Sequence, residues 1–455
     1  MSSVACGLAA TCAVAVAGTL AVTIYADDLA LIQDKRDIAL EGGRQRIEFP
    51  DVSAKIRPET ATLTAGDVAI VEQNFDFDLL TPAKLMEKAV GQEVTLVRIN
   101  PSNGAEAREQ AQVLATNSGV VLKIGDHIEV LRDDGLPARV IFNKVPENLR
   151  ARPTLSVTIT SRRAGTRPAT LSYLTSGLGW RADYVALFDE RESKIDVQGW
   201  VTLTNSSGTT YDNAQTLLVA GAPTVSNGNY PLNEWRRQRE RSSLEQAGTE
   251  SGGRERLGDY YLYPLADRTT IANMQTKQVS FLDVHGVPAE HGYEFRNRWL
   301  GVAEKPQSAR SVYRFSTSAH AGLGDQLPAG VLRFYMRDQR GDPQFIGESL
   351  IEHTPMGSTL SLETGDAFDV KVRAVVVKRT RIGTFDWRSD MSYELSNALP
   401  HPVVVKLLQQ GLFGDSRITE ESMKSTRRDA ETAEWAVTVP ANGKASVTAS
   451  FETRF

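Results

Sequence analysis

The 455-residue sequence has only two cysteines, and after residue 26 it has no run of 18 or more apolar residues. Both cysteines, Cys6 and Cys12, precede residue 18. Residues 18–455 therefore contain no disulfide and no thiolate-bound metal. A transmembrane helix is not expected there either, because such a helix needs about 20 apolar residues. The net charge of -5, from 51 basic and 56 acidic residues, gives no basic excess of the kind that nucleic-acid binding requires.

The sequence also lacks the short motifs that mark common catalytic and cofactor sites. It has no Walker-type or dinucleotide-binding glycine loop, no G-x-S-x-G and no H-E-x-x-H. Asp76-Phe77-Asp78 has alternating carboxylates but not the Asp/Asn-Gly that follows in an EF-hand. This pair is either a weak cation site or, as we favour, the exposed face of an edge strand. These patterns imply no catalytic residue and no cofactor.

The first 17 residues have the character of an export signal. No charged residue occurs before Asp27, and residues 4–17 are small and apolar. Ala15-Val16-Ala17 fits an A-x-A cleavage site, so we expect a signal peptide over 1–17. Cleavage after Ala26 is the alternative, although it would remove the alternating run at 19–25. The expected location is therefore periplasmic or otherwise extracytoplasmic, in the cell envelope.

Most of the remaining sequence alternates between apolar and polar residues, which is typical of β-strands. Examples are the segments 93–99, 127–131, 155–160, 195–204 and 331–336. Helix is scarce, and the best candidate is 82–90, with Thr81 as its cap and Pro82 in the first helical position. The pattern predicts an all-β protein of several β-sandwiches with one short helix in its N-terminal domain.

Breaks in the pattern divide the chain after the signal into three predicted domains. These are an N-terminal β domain at 18–148, a central β domain at 149–368 and a C-terminal immunoglobulin-like sandwich at 369–455. Residues 224–258 interrupt the central domain with a run of balanced charge that includes Trp235, Arg236 and Arg237. We favour a flexible, solvated spacer for this insertion, and a partner-docking loop is the alternative.

Residues 171–221 and 269–282 resemble the family called domain of unknown function 4139. The upstream segments 22–43 and 47–63 resemble the N-terminal region of its shorter members. The resemblance implies an exported, mainly β bacterial protein and transfers no catalytic residues. The positions that carry the motif are Gly179, Trp180, Tyr184, Asn205, Gly208, Leu218 and Gly221.

Two small groups of residues are candidate sites. His285, Glu290 and His291 lie in the segment HGVPAEH, where a turn at Gly286 and Pro288 would let them converge on a divalent metal ion. They are otherwise ordinary polar loop residues, which we favour.

The aromatic residues form the second group. Trp180 and Tyr184 are candidates for stacking on a sugar ring or anchoring a protein interface, as is Trp235 with its neighbouring arginines. Trp200 and Trp299 are further candidates for stacking on a sugar ring. For Trp180 and Tyr184 we favour positions in a core.

The function that these observations favour is an exported envelope protein that acts as a binding or structural module. Its partner would be an envelope protein or a polysaccharide. A protein partner would bind by adding a strand to an exposed sheet edge. One alternative is a carbohydrate-active or other hydrolase, with a cleft between β domains. Another is an outer-membrane β-barrel, suggested by Val447, Phe451 and the terminal Phe455 on one strand face.

Overall fold

The computed structural model describes residues 18–26, 28–76, 79–100, 102–117, 119–131, 138–146, 149–221, 223, 244–250, 253–303 and 305–454. These residues form strands almost throughout, so the all-β prediction is confirmed. The predicted signal peptide, Trp235, Arg236 and Arg237 lie outside the described residues, as do Asp78 and Phe455.

The strands are numbered in chain order. In the N-terminal half they are β1 (Thr19–Tyr25), β2 (Leu29–Leu40), β3 (Gly43–Pro50), β4 (Thr62–Ala65), β5 (Val68–Asp76), β6 (Glu93–Ile99), β7 (Glu106–Ala115), β8 (Val120–Ile124), β9 (His127–Leu131), β10 (Ala138–Ile141), β11 (Thr154–Ser161), β12 (Gly165–Thr175), β13 (Leu178–Asp189), β14 (Lys194–Asn205) and β15 (Tyr211–Ala220). The C-terminal half contains β16 (Leu244–Gln246), β17 (Arg256–Leu257), β18 (Tyr260–Pro264), β19 (Thr269–Ile271), β20 (Gln275–Arg298), β21 (Gln307–Ser316), β22 (Gly330–Arg337), β23 (Pro343–Ile351), β24 (Thr359–Arg381), β25 (Asp386–Asn397), β26 (Val403–Gln410), β27 (Arg417–Glu421), β28 (Thr426–Arg427), β29 (Ala433–Val439) and β30 (Gly443–Arg454).

The chain folds into two compact units that interleave along the sequence. The first comprises the chain up to Gly179 together with Thr204–Val219 and Pro264–Lys277. In this unit β2 pairs with β1 and β12, and β1 also pairs in parallel with β15. A separate sheet has the order β10-β6-β7-β8-β9, and β11 lies between β3 and β5. The division into three domains expected from the sequence stays a prediction.

The single α-helix of the described residues, α1 (Pro82–Lys88), confirms the helix prediction. The side chain of Thr81 accepts a hydrogen bond from the backbone N–H of Lys84, at 3.1 Å. This bond satisfies one of the N–H groups that a helix leaves free at its start. Ala89 then packs beside Val94 in the small core of the β6–β10 sheet.

A buried asparagine organises the turn that follows β14. The Asn205 side chain donates to the carbonyl oxygens of Thr209 and Ile271, both at 2.9 Å. Its Oδ1 atom accepts from the backbone N–H and the hydroxyl of Ser207. Gly208 has φ +85°, a conformation that glycine adopts without strain. These two positions of the sequence motif therefore have a structural role.

The second unit comprises Trp180–Leu203, Ala220–Tyr263 and Gln278–Phe455. In its described part the strands join in the order β23-β22-β13-β14-β20-β21-β24-β25-β30-β27. Next to this path, β26 pairs in parallel with β20 and antiparallel with β29. Trp435 of β29 is fully buried against Tyr393 of β25 and Phe451 of β30. These strands thus form two layers around one hydrophobic core.

Candidate functional site

A short segment of the second unit, residues 244–250, lies against the beginning of β24, and we call it the strap. Leu244 and Gln246 pair with Leu360 and Thr359. Beyond that pairing, the backbone N–H of Gly248 donates to the Ser358 hydroxyl at 2.9 Å. The strap is therefore an added edge strand with a very short hydrogen-bonded ladder.

The far end of the strap is fixed by a carboxylate. Glu250 accepts hydrogen bonds from the hydroxyl of Ser318, at 2.6 Å, and from the backbone N–H of Ala319, at 2.9 Å. These bonds hold the pKa of Glu250 below its usual value. The sequence favoured a flexible, solvated spacer over 224–258. Within that range, the described residues 244–250 form specific hydrogen bonds with the rest of the unit.

Near its start, the strap places Glu245 in a pocket of about 750 Å³, which we call the Glu245 pocket. Three cationic side chains from three other segments converge on this carboxylate. Its Oε1 atom lies 3.2 Å from Nζ of Lys406 and 3.8 Å from Nη2 of Arg428. Its Oε2 atom lies 3.3 Å from Nε of Arg314. The pocket thus holds a carboxylate of the chain itself between three cationic side chains.

The electrostatics of the pocket favour the charged form of Glu245. Burial acts to raise the pKa of Glu245, but Lys406, Arg314 and Arg428 outweigh burial and hold that pKa below its usual value. The Glu245 side chain is only 21% exposed and that of Arg314 only 10%. Their attraction is therefore less screened by water than that of a surface pair.

Further carboxylates hold the cations in position. Arg314 Nη2 lies 3.4 Å from Oε2 of Glu294, which is nearly inaccessible to solvent. Arg428 Nη1 lies 3.7 Å from Oε2 of Glu434. Each of the two guanidinium groups thus lies beside a second carboxylate as well as Glu245.

The three residues of the candidate metal site do not converge. His285, Glu290 and His291 lie within strand β20 rather than on a turn. Six residues of strand span about 20 Å, which separates the two histidines, and Glu290 points to the opposite face. Among the described residues, no group of three or more His, Cys, Asp or Glu side chains could hold a metal ion.

Each member of the triplet has different neighbours. His285 is exposed and lies 3.5 Å from Asp196 and 3.4 Å from Asp283. Glu290 lines the Glu245 pocket. His291 lines a second pocket, where it hydrogen-bonds Ser311.

The two motif aromatics lie in the interior of the second unit, as the sequence favours. Trp180 is 6% exposed and its ring lies 6.3 Å from that of Tyr263. Tyr184 is fully buried and donates its hydroxyl to the carbonyl oxygen of Pro328 at 2.8 Å. Trp200 and Trp299 are half-buried, and neither lines the Glu245 pocket or the pocket at His291.

A family described as domain of unknown function (DUF4139) matches residues 169–455. None of the curated proteins matches the chain significantly. In the part of the chain that the structure describes, no helix has the length and apolar character needed to cross a bilayer.

Proposed function

Because the chain belongs to the family described as domain of unknown function (DUF4139), and because its Glu245 pocket holds a carboxylate, we propose that it is an exported binding protein of the cell envelope. Its ligand is an extended segment of a partner protein that carries an acidic side chain. The observation that carries this proposal is the convergence of Arg314, Lys406 and Arg428 on the Glu245 carboxylate. The strap is an internal example of the ligand.

Strand addition explains how a partner would bind. Backbone hydrogen bonds to a sheet edge supply affinity for any extended peptide, and side-chain pockets supply specificity. Here the edge is the start of β24, at Thr359 and Leu360, and the pocket selects a carboxylate. The two-residue ladder of the strap is short enough for a longer strand to replace it.

Export rests on the sequence. The apolar segment at 4–17, the A-x-A site and the absence of cysteine from residues 18–455 support an extracytoplasmic location. A fusion of residues 1–26 to alkaline phosphatase, which is active only after export, tests it. We expect activity from this fusion and none from one that lacks residues 1–17. An inactive fusion of residues 1–26 would contradict export.

The binding proposal is tested with a peptide that has the sequence of the strap. A fluorescein-labelled LEQAGTE peptide, residues 244–250, is titrated with protein and followed by fluorescence polarization. We expect Glu245→Ala to bind the peptide at least tenfold more tightly than the unmodified protein, because its own strap competes less for the pocket. Adding Lys406→Ala to that variant should weaken binding again by about tenfold, or about 1.4 kcal/mol.

Two controls separate carboxylate recognition from nonspecific peptide binding. The peptide LQQAGTQ has the same length and no carboxylate side chain, so it should bind weakly to every variant. Thr249→Ala changes an exposed strap residue and should leave the affinity of the unmodified protein unchanged. Equal binding of LEQAGTE and LQQAGTQ to Glu245→Ala, or no binding of either, would disprove the proposal.

A further inference from the structure

A second pocket in the same unit contains a serine and a histidine in hydrogen-bond contact. We propose that Ser311 and His291 form a catalytic pair that hydrolyses carboxylic esters with a small acyl group. The Oγ atom of Ser311 lies 2.8 Å from Nε2 of His291. Both residues line a pocket of about 270 Å³ and are partly exposed to it. This inference does not depend on the function proposed for the Glu245 pocket.

The two pockets use opposite faces of the same strands. Successive residues of a strand point to opposite sides of a sheet. Glu290 of β20 and Arg314 of β21 therefore face the Glu245 pocket, whereas His291 and Ser311 face the second pocket. A substitution in one pocket can thus be made without altering the lining of the other.

The imidazole of His291 is held by aromatic rings. It stacks on Tyr313, with ring centroids 4.7 Å apart and planes at 15°, and it contacts Tyr293 and Phe188 at 5.1 and 6.3 Å. A general base needs such a fixed orientation toward its nucleophile.

The protonation state of His291 also suits a base. Burial lowers the pKa of His291, and the charge of His401 adds to this effect, while Glu190 opposes it. Tyr293 and Tyr313 beside it are neutral near pH 7, because burial raises the pKa of both hydroxyls. His291 is therefore mainly unprotonated at neutral pH and free to accept a proton.

Tyr313 supplies a donor for the developing negative charge. Tyr313 lines the same pocket as Ser311, and burial raises its pKa to about 12. The hydroxyl therefore stays protonated at neutral pH. A tyrosine hydroxyl can serve as an oxyanion donor in acyl transfer.

The pocket limits the substrate. Its volume lies below the range of about 300–1,000 Å³ that is typical of pockets for drug-sized ligands. Its lining combines apolar side chains, including Met336, Ile346 and Leu399, with the carboxylates of Asp366 and Asp369. A short, apolar acyl group fits this space, and the alcohol portion of the ester would extend outward.

The proposed reaction has two balanced steps. Ser311 Oγ forms a bond to the ester carbonyl carbon while its proton passes to His291 Nε2. The bond from the carbonyl carbon to the alcohol oxygen then breaks, and His291 returns the proton to the departing alcohol. In the second step His291 takes a proton from water, the water oxygen attacks the acyl-serine, and the acid leaves as Ser311 regains its proton.

The test uses the purified full-length protein with p-nitrophenyl acetate. We expect Ser311→Ala and His291→Asn each to lower kcat/KM by at least a hundredfold. Ser349→Ala, a half-buried serine of the same unit outside the pocket, should not change it. Tyr313→Phe should lower kcat with little change in KM, which a purely structural role would not produce. The rate should rise with pH as His291 loses its proton, with a midpoint below the usual histidine pKa.

Labelling with a fluorophosphonate probe provides a second measurement. Mass spectrometry should locate the adduct on Ser311 in the unmodified protein and find none there in His291→Asn. Near-ultraviolet circular dichroism confirms that each variant is folded. Hydrolysis that is equal in folded Ser311→Ala and unmodified protein, or absent from both together with an absence of labelling at Ser311, would overturn the assignment.

Discussion

Replacing Glu245 by glutamine removes the negative charge on which Arg314, Lys406 and Arg428 converge, while keeping the size of the side chain. A hydrogen bond to a charged group contributes about 1.5–3 kcal/mol to stability. Removing one partner of a buried ion pair costs about 3–5 kcal/mol, because the other charge is left buried and unpaired. Glu245 is 21% exposed and Lys406 26%, so water screens part of the interaction. We therefore expect Glu245→Gln to lower the free energy of unfolding by about 1–3 kcal/mol at pH 7.

The effect of this substitution should depend on pH in a defined direction. Because the pKa of Glu245 is lower in the folded protein than in the unfolded chain, its carboxylate stabilises the fold above the unfolded pKa of about 4.3. That stabilisation is lost as the pH falls through the folded pKa. The difference in stability between the unmodified protein and Glu245→Gln should thus be largest near neutral pH and shrink below about pH 4.

Urea denaturation followed by tryptophan fluorescence, repeated between pH 3 and pH 7, measures this difference. Glu192→Gln is the matched control, because it removes a carboxylate from an exposed pair with Lys194. We expect no measurable change from it. A stability difference for Glu245→Gln that is below about 0.5 kcal/mol at pH 7, the range of an exposed pair, would refute the reasoning. A difference that stays constant down to pH 3 would also refute it.

Three further substitutions test the fold, each by urea denaturation. Thr81→Ala removes the hydrogen bond to Lys84 and should cost about 1 kcal/mol, with faster amide exchange confined to α1 and its sheet. Trp435→Ala leaves a cavity in the core of the second unit and should cost about 3–5 kcal/mol, whereas Trp435→Phe should cost less. Gly177 has φ +89° and an added Cβ would lie 2.7 Å from Cα of Ser207, so Gly177→Ala should cost at least about 1–3 kcal/mol. A cost below about 0.5 kcal/mol for any of them would show that the stated contact is unimportant.

The local features of this fold could be predicted because they depend on nearby residues. Alternation of apolar and polar residues predicts strands such as β6, β14 and β22, since a half-buried strand exposes every second side chain. Thr81 and Pro82 similarly predict the start of α1. The motif residues Trp180 and Tyr184 have the burial that the sequence favoured for them.

Neither pocket could be predicted, because each depends on pairing between strands that are distant in sequence. Glu245 and Lys406 are separated by 161 residues, and Glu245 lies within a charged run that resembles a spacer. Ser311 and His291 are 20 residues apart, and their contact depends on the register of β20 against β21. For His291 the spacing to His285 suggested a metal site, because the sequence did not show that β20 is a continuous strand.

Hydrogen–deuterium exchange of the strap tests the central claim most directly. The unmodified protein is incubated with a saturating concentration of the LEQAGTE peptide, and exchange is measured for backbone amides of residues 244–250 and of β24. If an acidic strand replaces the strap, the amides of 244–250 exchange faster while those at the start of β24 stay protected. Unchanged protection of residues 244–250 at saturating peptide would show that the Glu245 pocket does not exchange its occupant, and would contradict the proposed function.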